Sequence, residues 1–509
     1  GWGWWTNLAP YRIHFELEAQ EVDLPRLALD SIRCQAAWTA PQLVVSNTAI
    51  QMAGRRASLE RVDLDVDQRR LQFAFESELA LRSIETLLPE NVRSVWKEIE
   101  AATPPRVSLR GTCQLPAWNE LPRATVGSLV PGLQLDGSLR TDAIGFRGCR
   151  MKAVDLDFGL AEGRLALKAL RLSRPEGDAV LQGGFDLVTR EFTADLVSKL
   201  DPTAFRPLVT RRGGEAFGLF DFKSPPEIAI TARGFGGDLD RLTAQGTVKA
   251  TNFVFRGEPV DSLTTRAELA DRMLVATNTV LESGDQWIRA PGFGFDLRTQ
   301  WVYLTNAETR MDPMRIARAI HPNVIRAIER YRFDQPPLVR VNGHVPTRGS
   351  IDPARMRFDV DGGPFHYWRF NLPQVAGTVH WNGNQVIVTN LMADFYGGQV
   401  DLNLGVDLRE GGDADFQFQA YFRDAEIGSA VRELTLSTNQ LQGVATGLLY
   451  VRYANSADWK SWEGSGEIAM HTGHLWDFPM FSILSRAMNV VAPGSGNARA
   501  SAGKGSFTI

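Results

Sequence analysis

The chain has 509 residues and a mass of 56.4 kDa, more than one compact core of about 150 residues accommodates. Hydrophobic residues make up 44% and charged residues 22%, which excludes a disordered or collagen-like chain. The 55 basic and 59 acidic residues leave a net charge of −4. Because no basic block interrupts this balance, nucleic acid is not expected as a partner.

The sequence predicts no transmembrane helix, since even the longest uncharged stretch, 34–54, is rich in polar residues. The cysteines Cys34, Cys113 and Cys149 lack the spacing of a zinc site or a disulfide framework. Neither end resembles a natural terminus: Gly1 is not an initiator and Ile509 closes an unfinished alternating run. We therefore expect a segment of a longer protein whose membrane anchor lies outside it.

The dominant hydrophobic period is two residues. Apolar side chains alternate with polar ones over 71–81, 192–200, 402–408 and 416–422, as in strands with one apolar and one polar face. Turn residues such as Asp136-Gly137, Asn382-Gly383 and Tyr396-Gly397-Gly398 separate such runs. The pattern predicts a mostly antiparallel β protein of about 25–30 strands.

Helical patterns are few. The clearest runs from Asp312 to Tyr331, opens with an Asp-Pro N-cap and is broken by Pro322. Similar openings predict equivalent helices at Ser83–Leu88, Asp201–Phe205 and Asp424–Arg432.

Three Pro-Pro pairs, at 104–105, 225–226 and 336–337, each begin a predicted strand that ends in glycine. They recur about every 110 residues, which indicates an array of repeats that contact only their neighbours. We predict repeats at 1–111 (partial start), 112–234, 235–343 and 344–447, and a truncated C-terminal-type segment at 448–509. Four separate β-sandwich domains are the alternative.

The strand Gly464-Ser-Gly466-Glu-Ile468-Ala-Met470 and the segment Gly473–Arg486 that follows resemble the C-terminal region of the AsmA-like family, which includes TamB-type proteins. The long alternating strands and the helices that open with Asp-Pro are also similar to the general sequence pattern of that family. The resemblance implies an inner-membrane anchor and a periplasmic location in a Gram-negative-type bacterium. It also implies a long twisted sheet curled into an apolar groove that carries phospholipid towards the outer membrane, and contact with outer-membrane assembly machinery.

The fold class expected is thus mostly β: an elongated, twisted antiparallel sheet array curled into an apolar groove, with a short helix per repeat. Because each belongs to the apolar row of its strand, we assign ten residues to one inward, lipid-binding face: Phe73, Phe75, Leu79, Phe192, Leu196, Leu402, Leu404, Val406, Phe416 and Phe418.

No catalytic motif, metal site or cofactor site is predicted. The histidines His471 and His474 have a spacing that points them to opposite faces of a strand, and 63, 65 and 67 carry aspartates without a calcium-binding loop. The sequence favours a nonenzymatic lipid-transfer segment. Two alternatives stay open: an assembly or secretion factor that binds outer-membrane β-strands, and a carbohydrate-active enzyme or adhesin suggested by 13 tryptophans.

Overall fold

The computed structural model describes residues 4–24, 27–80, 83, 85, 93–94, 97–121, 129–320, 331–350, 352–367, 370–409, 413–435, 443–473 and 503–509. Within these residues, 28 strands belong to one antiparallel sheet and three short strands form a second. The predicted mostly β, antiparallel fold class is confirmed. None of the described helices has the length and hydropathy to cross a membrane.

The first fifteen strands are β1 (Arg12–Leu24), β2 (Leu27–Thr39), β3 (Gln42–Met52), β4 (Arg55–Asp65), β5 (Arg70–Ser77), β6 (Ile99–Ala101), β7 (Arg106–Gln114), β8 (Leu133–Phe146), β9 (Cys149–Ala161), β10 (Arg164–Arg174), β11 (Gly177–Asp186), β12 (Glu191–Ser198), β13 (Phe220–Phe222), β14 (Glu227–Phe235) and β15 (Asp238–Phe255). The others are β16 (Glu258–Ala270), β17 (Met273–Ser283), β18 (Gln286–Asp296), β19 (Trp301–Arg310), β20 (Tyr331–Phe333), β21 (Leu338–Pro346), β22 (Arg355–Gly362), β23 (Phe365–Tyr367), β24 (Phe370–Leu372), β25 (Val375–Asn382), β26 (Gln385–Phe395), β27 (Gly398–Leu408), β28 (Ala414–Glu426), β29 (Gly443–Asn455), β30 (Glu463–Gly473) and β31 (Gly503–Thr508).

The described helices are short. They are the α-helices α1 (Arg211–Phe217), α2 (Pro313–Ile320) and α3 (Ile427–Thr435), and the 3-10 helices Trp4–Leu8, Val130–Gly132, Pro202–Leu208 and Trp459–Ser461.

The chain divides into two compact units. The first is Gly1–Phe253 with Ala267–Arg272, and the second is Val254–Arg266 with Met273–Ile509. In the first unit the sheet runs in chain order from β1 to β15, with β6 and β13 outside the main succession. In the second it runs from β17 to β31 and omits the small sheet β20–β23–β24.

Three of the helical segments, and the segment that contains 83–88, are excursions that lie between two strands that pair with one another. The pairs β12–β14, β19–β21 and β28–β29 flank the helices that begin at Pro202, Pro313 and Ile427, and β5–β7 flanks the segment that contains 83–88. Six described strands separate one excursion from the next: β7–β12, then β14–β19, then β21, β22 and β25–β28. This regularity agrees with a repeat; the proposed repeat boundaries stay a prediction.

The Asp-Pro openings form the predicted caps. The Asp201 carboxylate accepts a hydrogen bond from the Thr203 amide at 2.9 Å, and the Asp312 carboxylate accepts one from the Met314 amide at 2.9 Å. Both satisfy amides that the first helical turn leaves without partners.

Helix boundaries differ from the prediction at Tyr331 and at Asp424. Tyr331 begins β20 and is not the end of a helix, and Asp424–Glu426 still belong to β28, so α3 starts at Ile427. Ala425 and Glu426 pair with Ala445 and Val444 of β29, and Asp424 takes a left-handed backbone (φ 51°) at the register shift before them, so the strand continues past Asp424 and the residue does not cap α3. Most of Ser83–Leu88 lies outside the described residues.

The Pro-Pro strands form as predicted but do not end at their glycines. β7, β14 and β21 continue beyond Gly111, Gly234 and Gly343. At Gly111 an added Cβ would come 2.5 Å from the Gln134 carbonyl oxygen and 3.1 Å from the Phe73 ring. The glycine is therefore a place where a neighbouring backbone and an aromatic ring approach closely, and not a turn.

The predicted turn at Asp136-Gly137 is wrong for the same reason. Both residues lie inside β8, and the Phe158 ring of β9 covers Gly137, where a Cβ would be 2.4 Å from it. The glycine accommodates a ring on the adjacent strand. The turns at Asn382-Gly383 and Tyr396–Gly398 are confirmed.

A β-bulge at Asn390 preserves the apolar face of β26. Its residues Val386 and Val388 alternate in step, but Leu391 and Ala393 are shifted by one position. Asn390 takes a left-handed backbone (φ 50°), its amide donates to the Asn403 side chain at 3.1 Å, and the register to β27 shifts there. The extra residue leaves the ladder, so both halves of the strand keep their apolar residues on one face.

We predict that Gly111→Ala destabilises the first unit by about 1–3 kcal/mol, because the new methyl group overlaps the Gln134 carbonyl. Gly405→Ala is the matched control, since its Cβ would meet only the Gln417 side chain at 3.5 Å. Urea unfolding followed by circular dichroism measures both. Equal midpoints for the two variants would contradict the close approach at Gly111.

Candidate functional site

One apolar row crosses the first unit without a polar member. Following the strand register from β1 to β14, one residue of each main strand lies directly opposite the next. This Phe73 row consists of Phe15, Ala36, Val45, Val62, Phe73, Gly111, Leu135, Leu160, Leu165, Phe185, Phe192 and Gly234. With strands spaced about 4.8 Å apart, it extends for about 50 Å along the sheet.

Two of the predicted groove residues, Phe73 and Phe192, thus share one row although their sequence numbers differ by 119. Phe75 and Leu196 lie on the same face, because they are two and four residues further along their strands. Phe75 faces Leu109, and Leu196 faces Leu181 and Ile230. The face that carries these residues is the apolar face of the first unit.

Leu79 lies differently. It follows the end of β5 and is buried with Leu29, Met52 and Ala57 in a small core at the ends of the first strands. Its side chain belongs to that core, against which the partly buried Phe75 also packs.

The second unit has equivalent rows. The Leu404 row crosses nine strands: Ala307, Val341, Phe358, Val379, Val388, Leu404, Phe418, Val451 and Gly464. A parallel row crosses ten: Ala276, Phe293, Leu304, Gly343, Met356, Trp381, Val386, Val406, Phe416 and Ala454.

The predicted residues of this unit come together directly. Leu404 faces Phe418, Val406 faces Phe416, and Leu402 faces Ala420 on the same side of the sheet. Trp462 adds an edge-on ring contact, 5.4 Å from Phe416 between ring centroids. These rows define the apolar face of the second unit.

Most large side chains on both apolar faces are half-buried. From β3 to β12, every apolar side chain of the Phe73 row is intermediate in exposure. Among the described residues, only Leu200, Val451, Pro226 and Pro337 are large and less than 2% exposed. A sandwich would bury such rows under a second sheet. Over the described residues, most side chains of these rows stay partly exposed. The rows therefore form an accessible apolar surface and not a closed core.

The opposite face is charged. In the first unit it carries the pairs Lys168–Asp136 at 2.5 Å and Arg171–Asp157 at 3.5 Å. An open hollow of about 800 Å³ extends across β4–β10; it is lined by charged side chains of this face such as Arg61, Asp63, Asp136 and Lys168, and it also touches Phe73, Leu135 and Leu160 of the Phe73 row. Its cations are largely neutralised by adjacent carboxylates, as Arg61 is by Asp63 at 2.7 Å. The hollow therefore provides no concentrated charge for a ligand.

Over the residues that the structure describes, helices and the small sheet cover the apolar face only near the strand ends. Ile427 of α3 packs with Ala445 and Met470, and the small sheet contributes Phe333 and Phe365 to a cluster with Leu372, Val375 and Ala393. In α2, Arg315 turns towards the sheet and pairs with Glu258 at 3.1 Å.

A histidine holds the small sheet together. Nε2 of His366 lies 3.0 Å from an Asp334 carboxylate oxygen, and Nδ1 contacts the Asn371 side-chain oxygen. The hydrogen bonds with Asp334 and Asn371 raise the pKa of His366, and the same contact with His366 lowers the pKa of Asp334.

No catalytic or metal-binding constellation was predicted. The structure, over its described ranges, contains no group of three His, Cys, Asp or Glu side chains arranged to hold a metal. The ten predicted residues lie on or just after β5 and on β12, β27 and β28, so the prediction missed the row members on the other strands, those on β8–β10 and β21–β26 among them. The alternation of Leu156, Phe158 and Leu160 is a signal that could have identified the first of these sets.

We predict that the small sheet is best protected between pH 3.8 and pH 6.5, the ordinary pKa values of the two side chains. A raised histidine pKa stabilises the fold below pH 6.5 and the contribution is lost as pH rises through the folded pKa. The lowered pKa of Asp334 adds stability above pH 3.8, and this contribution is lost as the pH falls through the folded pKa. Amide hydrogen exchange of β20 and β23, corrected for intrinsic rates, measures this. In the His366→Gln variant the loss of amide protection above pH 6.5 should disappear. If this loss persists, another group causes it.

No family model, no curated protein and no solved structure matches this chain. The fold and the two apolar faces are therefore established from the structure of this chain, and the AsmA-like resemblance stays a prediction.

Proposed function

We propose that the chain is a nonenzymatic lipid-binding segment whose apolar sheet faces hold acyl chains. The observation that carries the proposal is the unbroken Phe73 row, which crosses twelve strands without a polar residue while its large side chains stay half-buried. A face of this kind requires an apolar cover. An acyl chain is an apolar cover of variable length. The Phe73 row offers it equivalent positions on successive strands.

Hydrophobic burial alone suffices for such binding. At about 25 cal/mol per Å² of apolar surface removed from water, an acyl chain laid along a row gains affinity without any polar anchor. Because successive strands present similar side chains, no position is much deeper than the next. A lipid can therefore move from strand to strand over small barriers, as transfer requires.

The biological setting is part of the same proposal and rests on the resemblance of 464–486 to AsmA-like proteins. We propose on that basis that the segment lies in the periplasm of a Gram-negative-type bacterium and is attached to the inner membrane in the full-length protein. Phospholipid passing between the inner and outer membranes is then the cargo.

We predict that Leu404→Asp combined with Phe418→Asp leaves the sheet folded but abolishes lipid binding. On an open face the two carboxylates reach water, whereas in a closed core they would cost several kcal/mol, on the order of an unpaired buried charge. The matched control is Gln417→Asp with Gln419→Asp, which places the same charges on the opposite face of β28. Mass spectrometry of phospholipid extracted from purified protein measures occupancy, and circular dichroism measures folding.

Three results would contradict the proposal in different ways. Wild-type protein free of lipid, even after incubation with phospholipid vesicles, would argue against lipid binding. A Leu404/Phe418 variant that does not fold would indicate an ordinary packed core. A folded variant with unchanged lipid content would show that this face is not the binding surface.

A further inference from the structure

Three turns between neighbouring strands share one backbone geometry. They join β4 to β5, β11 to β12 and β18 to β19, and they begin at Asp65, Asp186 and Asp296. In each turn the aspartate carboxylate accepts hydrogen bonds from the amides two and three positions later, at 2.7–3.2 Å. The fifth residue of each turn, counted from the aspartate, has a left-handed backbone with φ between 55° and 64°. The three turns are therefore equivalent positions of one structural motif.

In the first turn, the residue that follows the aspartate is in contact with a tryptophan. Val66 is only 5% exposed, and the Trp118 indole N–H donates to the Val66 carbonyl at 3.0 Å. The segment that carries Trp118 is attached to the same turn at its start, where the Leu115 amide donates to the Arg69 carbonyl at 2.8 Å. An apolar ring with one N–H donor thus completes this turn.

The second turn lacks both the ring and the donor. Leu187 is 43% exposed, and Val188 beside it is 83% exposed. In the part of the chain that the structure describes, no N–H donates to the Leu187 carbonyl. Both side chains and the carbonyl of this turn are therefore accessible to a partner.

The chain path explains why no loop covers the second turn. The Gly236 amide donates to the Arg190 carbonyl at 2.8 Å, which is the contact that Leu115 makes in the first turn. Two residues after Gly236 the chain has already entered β15, so nothing equivalent to 115–121 follows. The attachment point is filled by this chain itself, and only the position of the tryptophan stays open.

The third turn satisfies its carbonyl with a residue of its own. The side-chain amide of Gln300 donates to the Leu297 carbonyl at 3.0 Å. Gln300 is the fifth residue of that turn, and the fifth residue of the second turn is Arg190. Two of the three turns thus hold a side-chain N–H at this carbonyl, from an indole in one and an amide in the other.

We propose that the turn Asp186–Arg190 docks a tryptophan side chain of a partner protein. The occupant is inferred from the first turn, where the same backbone holds an indole. Indole supplies a flat apolar surface for Leu187 and Val188 and one N–H for the Leu187 carbonyl. An acyl chain would cover the two side chains but has no donor for the carbonyl. Tryptophan is also among the residues that most often anchor protein–protein contacts. The proposal goes beyond lipid binding and does not depend on it.

The first test uses the chain's own segment 114–121 as a probe. The peptide Gln-Leu-Pro-Ala-Trp-Asn-Glu-Leu is titrated into the full chain while methyl NMR follows Leu187 and Val188. We expect saturable shifts at both residues. A peptide with a methylated indole nitrogen should bind about fivefold more weakly, because it lacks one hydrogen bond. No saturable shift at Leu187 and Val188, or equal binding of the methylated peptide, would overturn the proposal.

A matched pair of variants locates the site. Leu187→Asp should weaken binding of the peptide by about fivefold or more, because it removes an apolar contact at the anchor. Leu297→Asp is the control and should leave binding unchanged, since Leu297 is equally exposed at 43% but its carbonyl is already occupied. Circular dichroism should show both variants folded. Equal affinities of the two variants would contradict docking at the second turn.

The role of the carbonyl is tested by transferring the glutamine of the third turn to the second. Arg190→Gln places an amide where Gln300 lies in its own turn, so it should occupy the Leu187 carbonyl and weaken binding of the peptide by about fivefold. Arg190→Ala removes the same arginine without supplying an amide and should bind the peptide as the wild type does. If Arg190→Gln binds as tightly as Arg190→Ala, the carbonyl is not recognised and the proposal is wrong.

Discussion

The rest of the structure depends on the two-residue period of the strand, held in register across many ladders. A shift of one residue between any two strands would move the apolar residues of one of them to the other face. Twelve strands of the first unit nevertheless keep one apolar residue each in the Phe73 row. Where the sequence period slips, as at Asn390, a bulge absorbs the extra residue and the face is preserved.

This constraint produces a sheet with two chemically different faces. One carries ion pairs such as Lys168–Asp136, which contribute little to stability at the surface but keep that face hydrated. The other carries leucine, valine and phenylalanine rows that the described helices and small sheet cover only at the ends. The uncovered part of this face is the reason for proposing a lipid as its partner. The glycines beneath Phe73 and Phe158 leave room for these rings to lie across the neighbouring strand.

Much of the architecture could be predicted from local pattern. Alternation identified the strands that contain Phe73, Phe192 and Leu404, and capping chemistry identified the helix starts at Asp201 and Asp312, because both signals act between residues close in sequence. Glycine misled the prediction at Gly137 and in the Pro-Pro strands. A glycine in a turn and a glycine beneath a ring of the next strand are identical in sequence, and only the pairing partner distinguishes them.

The sequence by itself determined the fold class, the two-residue period and the apolar or polar character of each strand face, since these depend on side chains spaced along one strand. The tertiary structure decided which strands are neighbours, and therefore that Phe73 and Phe192 belong to one row while Leu79 turns into a small core at the strand ends. It also decided that the rows stay half-buried. Exposure depends on what the rest of the chain places over a face, and no period along a single strand contains that information.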